Sequence, residues 1–509
     1  MRIYAASAFN DSRSAFEALV STLSGDDSAG LDHGEVERCV AAGGMEIMRC
    51  LMQDHLALRA ERESASREPM RGADGEERTE FRPSSRPLGT LFGTVVVQRL
   101  ALVRHGVSGG LRPLDAHLNL PEGLYSHGVQ REVAWGVAQS SYDAVVVNIR
   151  RTTGTTIAKH QAEDLVVKLA SDFQDFYQEQ PPQVEPRDYL LVMTFDGSGV
   201  VMRPEGLRPE TRKRAERSKS RRSVAESAAV GQQRDDERKN RKRMAEVAAV
   251  YSLEPVGRTP VDVMCELRRT GPHTPRPKAQ NKRVWASLER SISDVVGDAF
   301  VEAFQRDEAN ERRWVAVVDA NPDQLAAMHR MEGICGVVVT TVIDLIDVLG
   351  YLWKAGKALN GDDAQATEAW VTERAESILR GEASQVAAGM RRSATQRRLR
   401  GQRRKAVHDC ANYLLNHKDY LRYHEYLRDG LPIASGVIEG ACRSLVQDRM
   451  DITGARWGLR GGEAVLKLRS LRASGDLDDY LAFHARRELD RNHLSRYDEH
   501  ELLDLRVAA

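Results

Sequence analysis

Residues 432–457 read PIASGVIEGACRSLVQDRMDITGARW, a small-residue turn that runs into an amphipathic helix. The spacing predicts Ser435 as the N-cap, with Val437, Ile438, Ala441, Leu445 and Val446 facing a core. One acid, Glu439, falls in the first turn, four residues before Arg443 on the same face. On its own that is an ordinary exposed ion pair. The stretch closes with Arg449, Gly454, Arg456 and Trp457, a turn that carries cations and an aromatic ring. An acid beside such a turn suits a metal that must also meet a phosphate backbone.

Two upstream acids keep Glu439 company, each ending a hydrophobic strand. Residues 188–205, DYLLVMTFDGSGVVMRPE, predict a buried strand ending in Asp196, a Gly-Ser-Gly turn, and a second strand through Val200. An Asp before Gly is also a common turn former. Residues 314–324, WVAVVDANPDQ, predict a buried strand ending in Asp319, with Asn321 and Pro322 as breakers. In an α/β sheet, strand ends gather side chains from distant sequence positions into one crevice. Magnesium and manganese prefer carboxylate oxygen, and two such ions roughly 3.5–4 Å apart activate an attacking oxygen and stabilise a leaving one. Asp196, Asp319 and Glu439 suit that task, although a chain with 74 acids also produces strand-end Asp by chance.

The 509 residues suffice for two to four domains. Lys+Arg and Asp+Glu both total 74, so net charge carries no information about partners and the distribution has to. The six cysteines are scattered without CxxC spacing, which supports neither a disulfide frame nor a zinc site. No apolar run approaches membrane-spanning length and MRIYAASAFND lacks a signal-peptide pattern, so the expectation is a cytoplasmic protein with no membrane partner.

Residues 12–60 predict helix, and residues 61–87 read as a charged linker. Residues 88–106 predict one or two strands. Residues 126–177 predict three helices, broken at Gln139-Ser-Ser and at Thr152-Thr-Gly-Thr-Thr. The start of the third, with Lys159, His160 and Gln161, fits the recognition helix of a helix-turn-helix; helix pairs joined by a Gly turn are also common packing units. Residues 244–251 predict a further strand, 282–305 a helix, 337–342 a strand, and 343–359 a helix. Everything from 363 to 430 reads as helix, and the acidic tail after Ser474 as a peripheral helix. Two cation-rich tracts stand out, 203–243 (with Arg212, Lys213, Arg241 and Lys242) and 391–405 (with Arg397, Arg398, Arg403 and Arg404). They are candidates for phosphate contacts, or else solvated faces.

The order FDGSG, VVDANP, then SGVIEGACRSLVQDRMDITGARW resembles the DDE transposases of bacterial insertion sequences, and among these the Kra group. KNRKRMAEVAAVYSLEP, RPLDAHLNLPEGLYS and IDLIDVLGYLW are similar to the same group, so the resemblance spans residues 88–471. It implies an α/β catalytic core of RNase H-like type with a helical insertion, behind a mainly α DNA-binding region. The implied segments are 1–87 N-terminal helices and linker, 88–180 hairpin and helix-turn-helix-like region, and 188–350 the first part of the core. The insertion at 351–430, the final core helix at 431–475 and a helical tail at 476–509 complete it. It further implies catalytic and metal-binding roles for Asp196, Asp319 and Glu439, with two Mg2+ (or Mn2+) ions as cofactors. The implied partner is double-stranded DNA, as element ends and target, in a homodimer or higher complex near the nucleoid. Arg443, Arg449, Arg456 and Trp457 join the candidate DNA contacts.

The chain departs from the group at several positions. RHGVSGGLRPLD has no Cys, so no zinc ribbon is expected. Asp347 and Gly350 stand where relatives tend to have His and Glu, and Ala320 follows Asp319 where Gly is more familiar. Two other readings stay open: a catalytically inactive, transposon-derived DNA-binding protein, and an RNase H-like host nuclease.

Overall fold

The computed structural model describes residues 8–181, 185–222, 241–452 and 454–498. The chain divides into two compact units, Met1–Glu179 with Asp476–Ala509, and Gln180–Gly475. Among the described residues, no helix is long and apolar enough to cross a membrane.

In the first unit, helices Asn10–Ser24 and His33–Ala65 are separated by a 3-10 turn, and a capping box between Asp32 and Glu35 starts the longer one. The expected linker 61–87 is instead structured. It holds the end of that helix, a small hairpin β1 (Met70–Arg71) and β2 (Glu77–Arg78), and most of β3 (Glu80–Thr90). β3 pairs antiparallel with β4 (Gly93–Val103) along its whole length. A two-stranded ladder leaves its outer N–H groups facing outward, so Pro83, Pro87 and the charges of this stretch are tolerated there. Buried Glu63 ties the long helix to the hairpin by accepting from the Leu100 and Leu114 amides at 2.8 and 2.9 Å.

Residues 126–177 form four helices where three were expected: His127–Gln139, Tyr142–Thr152, Lys159–Leu169 and Phe173–Glu179. Ser126 and Ser141 cap the first two. The tail is no peripheral appendage. Helix Leu477–Asn492 buries Tyr480, whose hydroxyl donates to the Leu169 carbonyl at 2.6 Å, and His484, which sits 2.6 Å from Asp172.

The second unit is built on a mixed sheet of five strands, β5 (Leu190–Val201), β6 (Lys242–Leu253), β7 (Gln280–Ser287), β8 (Trp314–Val318) and β9 (Val339–Ile343). The order is β7-β6-β5-β8-β9, antiparallel across β7-β6-β5 and parallel across β5-β8-β9. Leu190–Phe195 and all of β8 are buried, which is why they read as unbroken apolar runs.

Two expectations fail here. FDGSG is no turn: β5 runs straight through it, pairing Asp196 with Val247 and Val201 with Lys242. Its glycines make room for β6 side chains, since a Cβ at Gly197 would come 2.9 Å from Met244 Cε and one at Gly199 2.9 Å from Lys242 Cδ. Residues 282–305 are not one helix either; β7 occupies the first part and helix Ile292–Arg306 starts only after the Ser291 capping box. The outward amides of edge strand β7 are taken by side chains of helix Leu459–Ser474. Ser474 accepts from Val284 N, Ser470 from Ala286 N and Glu463 from Leu288 N, covering an edge that would otherwise pair with other chains.

Four helices, Ala364–Leu379, Ala383–Gln396, Gly401–Asn416 and Tyr423–Arg428, fill the stretch between the helix after β9 and the Glu439 segment.

Candidate active site

The register of the parallel strands decides which acids meet. β5 and β8 pair Leu191 with Trp314 and Thr194 with Val317, so two residues further on Asp196 stands level with Asp319. β8 and β9 pair Val318 with Ile343, which brings Asp344 level with Asp319 one residue on. Three aspartates thus stand level on three adjacent strands, Asp196 within β5 and Asp319 and Asp344 directly after β8 and β9. That register is held at the opposite end by Arg312, buried at 3% exposure, which donates to the Tyr189 and Leu190 carbonyls at 2.9 Å each and pairs with Glu185.

The helix that carries Glu439 reaches Asp196 through Cys442. The segment is an α-helix at Gly436–Ala441, a π-helical turn at Cys442–Gln447 and a last helical turn at Asp448–Met450. Cys442, one turn after Glu439, donates its thiol to Asp196 Oδ2 at 3.3 Å. Burial, then the Asp196 carboxylate, pushes that thiol's pKa up, so it stays protonated and donating. The π turn breaks the regular i−4 ladder, and buried Arg469 takes up the Leu445 carbonyl at 2.8 Å and the Ser444 carbonyl.

Ser435 does not cap this helix by its side chain. Its amide and hydroxyl both donate to Asp344 Oδ2, at 2.8 and 2.5 Å, while Asp344 Oδ1 accepts from Ile346 N at 2.8 Å. Asp344 therefore clamps the start of the Glu439 helix to the strand end. Sequence reasoning passed it over, although it ends an apolar, β-branched run as Asp196 and Asp319 do.

The acids crowd one another. Burial, followed by the Asp196 charge, raises the pKa of Asp319 against the lowering effect of the Asn321 amide. Asp347, one turn into helix Leu345–Asn360, is pushed up to about 6, first by burial and then by Asp344, Asp319 and Asp196. A carboxyl held protonated more tightly when folded makes stability fall as pH rises from about 4 to about 6, and the loss persists above. Asp347→Asn should therefore stabilise the metal-free protein above pH 7 by on the order of 1 kcal/mol after allowance for solvent screening. At pH 4 the gain should vanish. Thermal unfolding at the two pH values checks this; an equal gain at both would mean the charge is not the cause.

Ala320 has φ 65° and is 7% exposed, so the chain takes a left-handed turn at the residue after Asp319. A Cβ there costs roughly 1–2 kcal/mol, against about 0.5–1 kcal/mol of extra unfolded-state freedom for Gly. Ala320→Gly is expected to raise stability by about 0.5–1 kcal/mol, read as a higher unfolding midpoint in urea.

Glu439 is exposed and its carboxylate makes no hydrogen bond or ion pair with a described residue. The expected partner Arg443 lies instead 3.6 Å from Asp448. Among the described residues, no three His, Cys, Asp or Glu side chains stand close enough to hold an ion as they are placed. The donor set still fits a hard divalent cation: the oxygens are carboxylate, and their mutual repulsion is what such an ion relieves.

The cationic candidates separate into groups. Arg449 is 4% exposed and stacks 4.8 Å from the centre of the Trp457 ring, whose Nε1 donates to the Met450 carbonyl. Both are packing residues, because the turn after the π segment folds inward. Arg397 and Arg403 donate to the Leu359 and Ala358 carbonyls at 2.9 and 2.7 Å, capping the C-terminus of helix Leu345–Asn360. Lys242 reaches Asp451 at 3.0 Å, and Arg212 holds the Pro204 and Glu205 carbonyls. Lys213, Arg398, Arg404 and Arg456 are exposed and Arg241 is half-buried; residues 223–240 of the basic tract lie outside the described residues. In the other unit, Gln161 accepts from Tyr125 OH at 2.7 Å and Ala158 N at 3.2 Å, Lys159 pairs with Asp143 at 2.9 Å, and His160 is exposed.

Searched against protein-family models and against curated proteins, the chain matches none.

Proposed function

We propose that this chain is a DDE-type transposase, which binds the ends of its own mobile element, hydrolyses phosphodiesters there and joins the freed 3′-hydroxyl to target DNA. The observation that carries the reading is the levelling of Asp196 with Asp319 across parallel strands, with the helix of Glu439 joined to Asp196 through Cys442. On this reading the sheet of the second unit is an RNase H-like core and residues 351–430 are its helical insertion. Asp196, Asp319 and Glu439 would hold Mg2+ or Mn2+, two ions in all. Such ions, when bound, supply activation of the attacking oxygen and charge stabilisation of the leaving one.

The protein's own groups do the positioning. Asp344 orients the Glu439 helix through Ser435, and the Cys442 thiol steadies Asp196. Exposed Lys213, Arg398, Arg404, Arg443 and Arg456 are cations available to phosphates. Pairing two element ends requires two catalytic centres, hence a dimer or higher in the DNA complex.

The test uses duplex DNA carrying the sequences that flank the gene, incubated with the full chain and Mg2+ or Mn2+. Nicking at the ends followed by joining to a second duplex supports the reading. Binding without cleavage in either metal would leave the DNA-binding protein that lacks catalysis. Cleavage without joining would leave the nuclease.

A further inference from the structure

The second unit contains a cavity of about 940 Å³ on the far side of the Glu439 helix from the acids. Gly436, Val437, Gly440, Ala441 and Ser444 line it, whereas Glu439 and Cys442, one turn apart on another face, do not. Cys442, on the face of this helix that does not line the cavity, is the residue that meets Asp196.

Its lining is sharply divided in chemistry. The floor is apolar, with Leu253, Val263, Leu345, Leu431 and Ile433 buried. Leu267 and Ile346, also in the lining, are 43% and 50% exposed. Five cations and one acid complete the wall: Arg258, Arg269, Arg276, Lys278, Lys282 and Glu266. Glu266 is already shared by Arg258 and Arg276. Arg269, Lys278 and Lys282 are exposed and have no side-chain partner among the described residues. In a chain with equal numbers of acids and bases, this segregation marks a place for a polyanion.

We infer that the cavity binds one unpaired strand of nucleic acid, its phosphates on Arg269, Lys278 and Lys282 and its sugars and bases on the apolar floor. A space of 940 Å³ has a cube root near 10 Å, narrower than the major groove of B-DNA alone at about 12 Å, so a duplex cannot enter whole. A single strand fits, and a cationic groove that tracks the backbone is a usual means of holding one without sequence preference; the lining's one aromatic residue, Tyr251, is buried, so the contacts to sugars and bases here are aliphatic. The inference rests on the nucleic-acid reading above for the nature of the polyanion, but not on catalysis.

The experiment measures fluorescence anisotropy of a labelled ten-nucleotide oligothymidylate with the full chain in EDTA, where cleavage plays no part. Two variants address the two halves of the site. Lys278→Ala with Lys282→Ala removes rim charge, and is expected to weaken binding at least tenfold and flatten the slope of log affinity against log salt by about 1.4. Gly440→Trp fills the cavity; a Cβ there meets no atom within 4 Å, so the fold should survive, as circular dichroism will check. It is expected to weaken the oligonucleotide at least tenfold while leaving a duplex of the same length unaffected. Unchanged oligonucleotide binding in both variants would overturn the inference, as would equal losses on duplex and single strand. Displacement of the oligonucleotide by equimolar ATP would also overturn it, in favour of a mononucleotide site. Failure of transposition chemistry would show in the cleavage assay and leave this binding result intact.

Discussion

Asp319→Asn is expected to lower DNA cleavage by roughly a hundred- to a thousandfold or more while DNA binding survives, and Asp196→Asn and Glu439→Gln should behave alike. The reason is differential: carboxylates that hold catalytic ions act on charge developing in the transition state, whereas affinity for DNA comes from phosphates meeting cations elsewhere. Each variant is nearly isosteric, so loss of fold is not the expected cause. Asp196→Asn carries an internal control, because its amide oxygen can still accept from Gly197 N, as Asp196 Oδ1 does at 2.6 Å, while its NH2 takes the place of Oδ2 beside the Cys442 sulfur. A second readout separates metal binding from catalysis. Mg2+ should raise the melting temperature of the wild type and raise it less in Asp319→Asn, since an ion that binds only the folded state stabilises it by mass action. If any of the three variants cleaves at near wild-type rate, that residue does not belong to the site.

The second large effect concerns a residue that need not touch DNA. Asp344→Ala should slow cleavage by about a hundredfold and destabilise the protein by about 3 kcal/mol. Asp344 is 7% exposed and accepts three hydrogen bonds, from Ser435 N, Ser435 Oγ and Ile346 N. Without it, the buried Ser435 amide loses its acceptor and the start of the Glu439 helix loses its anchor on β9. A shift of about 1 Å in a catalytic group is enough for the rate loss. Because Asp344 acts through Ser435, Ser435→Ala should reproduce part of the rate loss with only the hydroxyl bond removed. A merely structural role predicts a different pattern: activity per folded molecule, measured well below the melting temperature, would equal that of the wild type.

Much of the five-stranded sheet was legible from local pattern. The apolar runs at 190–195, 314–318 and 337–342 correspond to strands because burial on both faces demands continuous apolar residues, and that demand is visible in one dimension. The helix break at Gln139-Ser-Ser was equally local, and Ser141 of that break caps the helix that follows. Errors arose where local chemistry suits two structures. FDGSG has turn composition, yet the partner strand β6 pairs along all of it, and glycines that would serve a turn serve close packing instead. KRVWASLER mixes apolar and charged residues in a way that fits helix or strand, and only the Ser291 capping box marks where the helix starts. The charged residues 61–87 resemble a linker because a two-stranded ladder leaves most of its surface in water.

By itself the sequence determined that Asp196 and Asp319 each directly follow a buried apolar strand run, and that Glu439 stands on a helix after a helical stretch. The levelling of Asp196 with Asp319 was decided by tertiary structure, because strand register is a property of pairs and no single segment encodes it. Arg312 sets that register by gripping the carbonyls of Tyr189 and Leu190, and Asp344 and Cys442 bring the Glu439 helix to the strand ends. The same contacts decided which cations remain available. Arg449 lies against Trp457 and Arg397 and Arg403 cap a helix, since a guanidinium near unpaired carbonyls or an aromatic face finds its partners within the fold. Charge is written in the sequence; whether a charge is free to meet a ligand depends on what the folded chain puts beside it.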